Sequence, residues 1–131
     1  MVGGQAIDIW AIQGGQVSRD NLLLMHDLKT GALIHSSVMG AAVLCDADKE
    51  QVEALDLYGK QLGLAFQLAD DILDHDPDKP EASGFPKVYG IEESREMLED
   101  VTQDALVSLR IFGEKAQDLI AFAQFNLTRT I

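Results

Sequence analysis

The sequence predicts an all-α fold, a bundle of about five helices forming one domain. Three observations carry this. Apolar residues recur at helical spacing along most of the 131-residue chain, no segment shows the strict alternation of a half-buried strand, and the only three prolines, Pro77, Pro80 and Pro86, fall together in one short stretch. A chain of this length suits a single domain that buries well over half of the surface its unfolded form exposes.

Taken in order, Ile7, Ile9, Trp10 and Ile12 mark a short opening helix ended by Gly14-Gly15. Ser18 is the N-cap of the next, and from it Leu22, Met25, Leu28, Leu33, Val38 and Ala42 follow near helical spacing to Cys45. This long helix has a waist of small residues, Gly31, Ala32, Ser36, Ser37, Gly40 and Ala41. Gly31 or Gly40 is where it would kink, and the waist is where another helix or a ligand would approach closely. The following helix starts near Asp46 or Asp48 and ends near His75, because Pro77 forbids continuation. Its second half, Leu62 to Leu73, is apolar nearly all round and should be buried. Beyond the proline stretch, Glu92 to Ile111 and Lys115 to Leu127 read as amphipathic helices joined at Gly113, with Leu98, Val101, Ala105, Leu109, Leu119, Phe122 and Ala123 facing inward.

Composition narrows the function classes. Asp and Glu total 22 against 10 Lys and Arg, and the formal charge of -12 repels nucleic-acid phosphates and anionic lipid surfaces, so no nucleic-acid partner is expected. No apolar run approaches the ~18 residues of a transmembrane helix. The amino terminus lacks the basic flank and apolar core of a signal peptide, so a cytoplasmic location is expected. Cys45 is the sole cysteine, which excludes an intramolecular disulfide, and its place after Ala41-Ala42-Val43-Leu44 reads as a small core residue. His26 and His35 read as helix-surface or satisfied core histidines and His75 as a loop residue; their spacing suggests no ligand set.

The chemistry lies in Phe66-Gln67-Leu68-Ala69-Asp70-Asp71-Ile72-Leu73-Asp74. Gln67, Asp70, Asp71 and Asp74 stand at i, i+3, i+4 and i+7, which puts an amide and three carboxylates on one stripe of an otherwise apolar helix. Carboxylates ~4 Å apart repel by roughly 4 kcal/mol at an effective dielectric of 20. The helix end near His75 adds the negative pole of the macrodipole, about 0.3–1 kcal/mol for each. A hard divalent cation removes both penalties, and Mg2+ takes one or two carboxylates while keeping water or phosphate oxygens in its other positions. Metal-bridged diphosphate binding follows naturally.

These residues resemble the second aspartate-rich motif, FQxxDDxLD, of the trans-isoprenyl diphosphate synthases. Two further segments occur in the family's order: Gly3-Gly4-Gln5-Ala6-Ile7-Asp8 is similar to GGQxxD, and Lys29-Thr30-Gly31-Ala32-Leu33 to KTGxL. The resemblance is clear from the first residue to about Asp74 and is weaker but collinear through Phe85-Pro86 and Tyr89-Gly90-Ile91-Glu92 to the end. It implies half of an isoprenoid synthase-type helical bundle, with residues 1–131 as a single half-domain corresponding to the carboxy-terminal part of a synthase. In that family, Mg2+ held between two aspartate-rich helices binds an allylic diphosphate, which ionises to a carbocation attacked by isopentenyl diphosphate. Carried over, the resemblance makes Asp70, Asp71 and Asp74 metal ligands, places Lys29 on the diphosphate and Thr30 and Gln67 beside the reacting carbons, and has Phe66 shape the site. Gln5 and Asp8 take a supporting polar role.

The departures matter as much. Everything the family places before GGQxxD is missing, including the first aspartate-rich motif, and Glu81-Ala82 stands where a glycine-lysine pair is usual, so a second diphosphate-binding lysine is lost unless Lys79 or Lys87 substitutes. Stabilising a departing diphosphate needs several positioned cations with water excluded. The expectation is therefore a lipid- or isoprenoid-binding homodimer without stand-alone chain elongation, because a half-bundle exposes an apolar groove that a twofold partner would cover. The alternative is a prenyltransferase subunit whose separate partner chain supplies the first motif.

Overall fold

The computed structural model describes residues 2–12, 18–78 and 84–129. Helix α1 spans Val2–Ile12, α2 Arg19–His26, α3 Ala32–Leu44, α4 Lys49–Leu73, α5 Phe85–Tyr89, α6 Ile91–Ser108 and α7 Gln117–Thr128. A π-helical turn, Asp27–Gly31, links α2 to α3, and a tight 3-10 stretch, Leu109–Ala116, links α6 to α7. No strand occurs among the described residues. With α2, the π turn and α3 counted as one rod, the long helices are those the periodicity predicts, and α5 is a short addition opened by Pro86 in its first turn, where proline's missing N–H costs nothing.

Local chemistry sets the boundaries. Ser18 Oγ accepts the Asn21 N–H at 3.2 Å and starts α2. Asp48 opens α4 with a reciprocal capping box, its carboxylate accepting the Gln51 N–H at 2.9 Å while Gln51 Oε1 accepts the Asp48 N–H at 3.1 Å. Gly113, at φ 57°, supplies the left-handed residue that breaks the line between α6 and α7.

Helix α4 is the central element, touching the π turn and α3, α5, α6 and α7. Around its carboxy-terminal half, Leu68, Ala69 and Ile72 meet Leu22, Met25, Phe85 and Leu98. Around its middle, Tyr58 and Leu62 meet Ala105, Leu109, Ala116 and Ala123. The Tyr58 hydroxyl, fully buried, donates to the Leu119 carbonyl at 2.9 Å, and burial pushes the phenol up to about 12. At the helix surface, His35 Nε2 meets Asp56 Oδ1 at 2.8 Å, and hydrogen bonds from Lys60 and His35 hold the Asp56 carboxyl below its usual range.

Within the small-residue waist Gly31 is the helix crossing, whereas Ser36, Ser37, Gly40 and Ala41 are exposed. A Cβ on Gly63 of α4 would lie 2.8 Å from the Gly31 Cα, and one on Gly4 of α1 would lie 2.6 Å from the Met25 carbonyl oxygen. Backbone therefore meets backbone on both sides of the π turn. Gly31 closes that turn, whereas Gly40 sits in regular helix, where an added methyl would meet nothing within 4 Å, and has no part in any kink.

Several expectations are corrected. Cys45 is exposed: it caps the carboxy-terminal end of α3, where only Ala42 of the apolar run turns inward and Val43 and Leu44 face outward. Leu33, Leu119 and Phe122 are also exposed, at 53%, 37% and 50%. Their helices pack through smaller neighbours, notably Ala123 on α7, because α7 lies close to its neighbours along one narrow stripe.

Candidate functional site

The last turn of α4 carries the aspartates, and three other chain segments converge on it. From α2 comes His26, buried at 4% exposure, whose Nδ1 lies 2.9 Å from Gln67 Oε1. Its Nε2 lies 3.2 Å from Asp71 Oδ2, an ion-pair distance but off the line of a hydrogen bond, so that nitrogen has no hydrogen-bond partner. The better donor to Asp71 Oδ2 is the Phe85 backbone N–H of α5 at 2.9 Å. The Phe85 ring in turn stacks on His26, with centroids 4.9 Å apart and planes 17° from parallel.

Gly84 makes this approach feasible. Its φ of 151° suits glycine, and a Cβ there would lie 2.8 Å from Asp71 Oδ2, inside the carboxylate. The Phe-Pro pair thus folds back so that α5 hands a backbone donor to α4.

Asp70 is held from the other end of the chain. Arg129, just past α7, places Nη2 2.6 Å from Asp70 Oδ1 and 3.2 Å from the Phe66 carbonyl oxygen, and its guanidinium carbon sits 4.6 Å from the Phe66 ring centroid. Gln67 Nε2 reaches Asp70 Oδ2 at 3.5 Å, the limit of a hydrogen bond. Asp74 is the exposed cap residue of α4, and α4 has no basic residue in its own last turn. A positive counterpart to the helix dipole, Arg129, comes from another segment.

The predicted residues are partly brought together. Phe66, Gln67, Asp70 and Asp71 form one cluster. Gln67 bridges His26 and Asp70 at 6% exposure. Lys29 and Thr30 are half-buried in the π turn, a helical irregularity common at functional sites, and that turn packs against α4 and α1. Gln5 and Asp8 lie on α1, but their side chains are outside the described residues, as are Lys79, Glu81 and Ala82; Lys87 is exposed on α5. Sequence reasoning set His26 aside, passed over Arg129, and named Phe85 in the resemblance without a role in the site. His26 had one available signal, its position one turn before Lys29 on the same helical rod.

No three acidic, histidine or cysteine side chains among the described residues converge as a preformed metal cage. The donor chemistry nevertheless suits a hard cation. Asp71 Oδ1 and both oxygens of Asp74 make no hydrogen bond among the described residues, and Mg2+ needs only one or two carboxylates beside phosphate or water oxygens. Asp70, Asp71 and Asp74 would hold it.

Comparison with known proteins agrees with this geometry. The polyprenyl synthetase family model matches residues 1–87. The farnesyl diphosphate synthase of Escherichia coli is 37% identical over 98% of this chain and 48% of its own length. An FPP/GFPP synthase structure from Zymomonas mobilis superposes with a TM-score of 0.86 at 32% identity, over 96% of this chain and 45% of that one. A geranyltransferase structure from Legionella pneumophila gives 0.85 at 33% identity, over 99% and 44%. The chain spans about half the length of these relatives. With the matched region running from the first residue through the aspartate cluster and into α5, and with the helices superposing throughout, the chain belongs to the polyprenyl synthetase family.

Proposed function

We propose that this chain binds the diphosphate head of an isoprenoid lipid at the carboxy-terminal end of α4, as a homodimer, and does not elongate isoprenoid chains by itself. The observation that carries this reading is the convergence of α2, α5 and α7 on the Asp70-Asp71 pair, a polar constellation set between buried apolar residues at Leu68 and Ile72. A divalent cation, when bound, supplies positive charge that neutralises diphosphate oxygens. The chain's own residues do the rest. His26 holds Gln67, Gln67 reaches Asp70, and the Phe85 N–H orients Asp71. Stand-alone elongation is not expected because the sequence carries one aspartate pair and the reaction calls for cations on both sides of the leaving group.

A second reading, in which a separate chain completes the fold and restores prenyl transfer, is favoured by the exposed apolar side chains Trp10, Leu24 and Phe125 and by relatives about twice as long. Addition of such a chain would then produce activity that the purified protein lacks.

The test is a thermal melt with Mg2+ and inorganic pyrophosphate. A ligand at tenfold its Kd stabilises the native state by ~1.4 kcal/mol. For a domain of this size that raises the Tm by about 5 °C. Asp70→Asn with Asp71→Asn should abolish the response. An unshifted melt for the unmodified chain would remove the basis of the reading, and robust product from isopentenyl and allylic diphosphates would overturn the claim that the chain does not elongate alone.

A further inference from the structure

Arg129 is placed with unusual redundancy for a residue just beyond a terminal helix. Its Nε donates to Asn126 Oδ1 at 2.9 Å, Nη2 donates to both Asp70 Oδ1 and the Phe66 carbonyl, and the guanidinium lies over the Phe66 ring. Asn126 is 2% exposed and its own Nδ2 finds no partner. The orientation of that amide therefore serves Arg129 at its own expense, since the reverse orientation would set two donors against each other. The contact to Asp70 is only partly open to water, with the two side chains 23% and 36% exposed.

We infer that Arg129 is a built-in counter-ion for Asp70 that a divalent cation has to displace, so that cation binding at α4 releases the end of α7. The inference rests on the diphosphate-site reading given above. Its logic is electrostatic. The guanidinium occupies one Asp70 oxygen, and Gln67 reaches the other. A cation on the same carboxylate would share it with a fixed positive charge a few ångströms away, a repulsion that low local dielectric strengthens. One of the two leaves. Arg129 lies just past α7 at the end of a side chain that can turn away, whereas a cation has no other place on this carboxylate, so Arg129 is the one that moves. Asp71 has no such gate: its principal donor is the Phe85 backbone. The same contacts that hold Arg129 thus couple the metal end of α4 to the last turn of α7, through Phe66 and Asn126.

Calorimetric titration with Mg2+ alone tests this on the full chain, comparing the unmodified protein with Arg129→Gln and Arg129→Lys, each checked for native helicity. Removing the charge should tighten Mg2+ binding about tenfold, within the range of ordinary coupling between two ligands of one site. The lysine variant, which keeps the charge, should stay near the unmodified affinity. In the unmodified protein the Arg129 Nε–H resonance should shift as Mg2+ saturates. Equal or weaker Mg2+ affinity in Arg129→Gln, or an Nε–H resonance that does not move while Mg2+ binds, would overturn the displacement alone. Absence of Mg2+ binding by every variant would instead sink the carboxylate-site reading and the displacement with it.

Discussion

Replacing Gly63 by alanine should destabilise the protein although alanine is the better helix former. An added methyl would lie 2.8 Å from the Gly31 Cα, against ~3.5–4.0 Å for a relaxed carbon contact, so α4 and the π turn must separate by about 1 Å. Neither side can yield by changing rotamer, because the colliding atoms belong to backbone. Overpacking of this kind costs about 1–3 kcal/mol. The helix-propensity gain returns about 0.8–1 kcal/mol. Because backbone cannot rotate away, the overpacking cost falls in the upper part of its range, ~2–3 kcal/mol, which leaves a net loss of ~1–2 kcal/mol and a fall of about 4–7 °C in Tm. Gly40→Ala is the control, since nothing lies within 4 Å of its new methyl and it should gain the propensity term without the clash. Circular-dichroism melts of the two variants should move in opposite directions. If Gly63→Ala were as stabilising as Gly40→Ala, the crossing would not be close, and the packing of the π turn on α4 at Gly31 would lose its support.

Two further outcomes follow from the packing. Tyr58 is raised to about 12 by burial, so the unfolded chain ionises first; its contribution is fully present below pH ~10 and falls away between there and ~12, by about 2–3 kcal/mol, a slope that Tyr58→Phe should remove from alkaline unfolding curves. Light scattering at micromolar concentration should show a dimer, because Trp10, Leu44 and Phe125 are 50%, 85% and 63% exposed; a monodisperse monomer would contradict the homodimer reading.

The rods of the fold were legible because their signals are local. Ser18 and Asp48 cap where their side chains predict, Gly113 breaks the α6–α7 line, and most of the apolar run from Leu62 is buried, although Leu73 at its end is 51% exposed. What stayed hidden depends on contacts between distant segments. The π turn cannot be read from periodicity, since it lies where Gly4 and Gly63 of distant helices pack closely on either side. Cys45 was misplaced because an apolar run says nothing about which helix end lacks a neighbour. Of the site, the aspartate stripe was visible as an electrostatic problem. Its compensators were not, for His26, Phe85 and Arg129 lie 45, 14 and 59 residues from their carboxylate partners, and no spacing rule reaches that far.

That difference in compensators makes the two adjacent aspartates unequal, and stability measurements should reveal it. Asp71 accepts a backbone N–H that α5 cannot redirect without unwinding, in a pocket where Phe85 is fully buried. Asp71→Ala leaves that donor unsatisfied, at a cost of about 1–3 kcal/mol, and also removes the anion facing His26. Asp70→Ala loses a partly exposed pair with Arg129, and such pairs contribute about 0.2–1 kcal/mol. The freed guanidinium keeps the Phe66 carbonyl and Asn126 as acceptors. Urea unfolding should therefore show Asp71→Ala as the more damaging change by about 1 kcal/mol or more. Equal losses would mean that the Phe85 N–H finds another acceptor, and that Asp71 owes its position to its place on α4 rather than to the turn at Gly84.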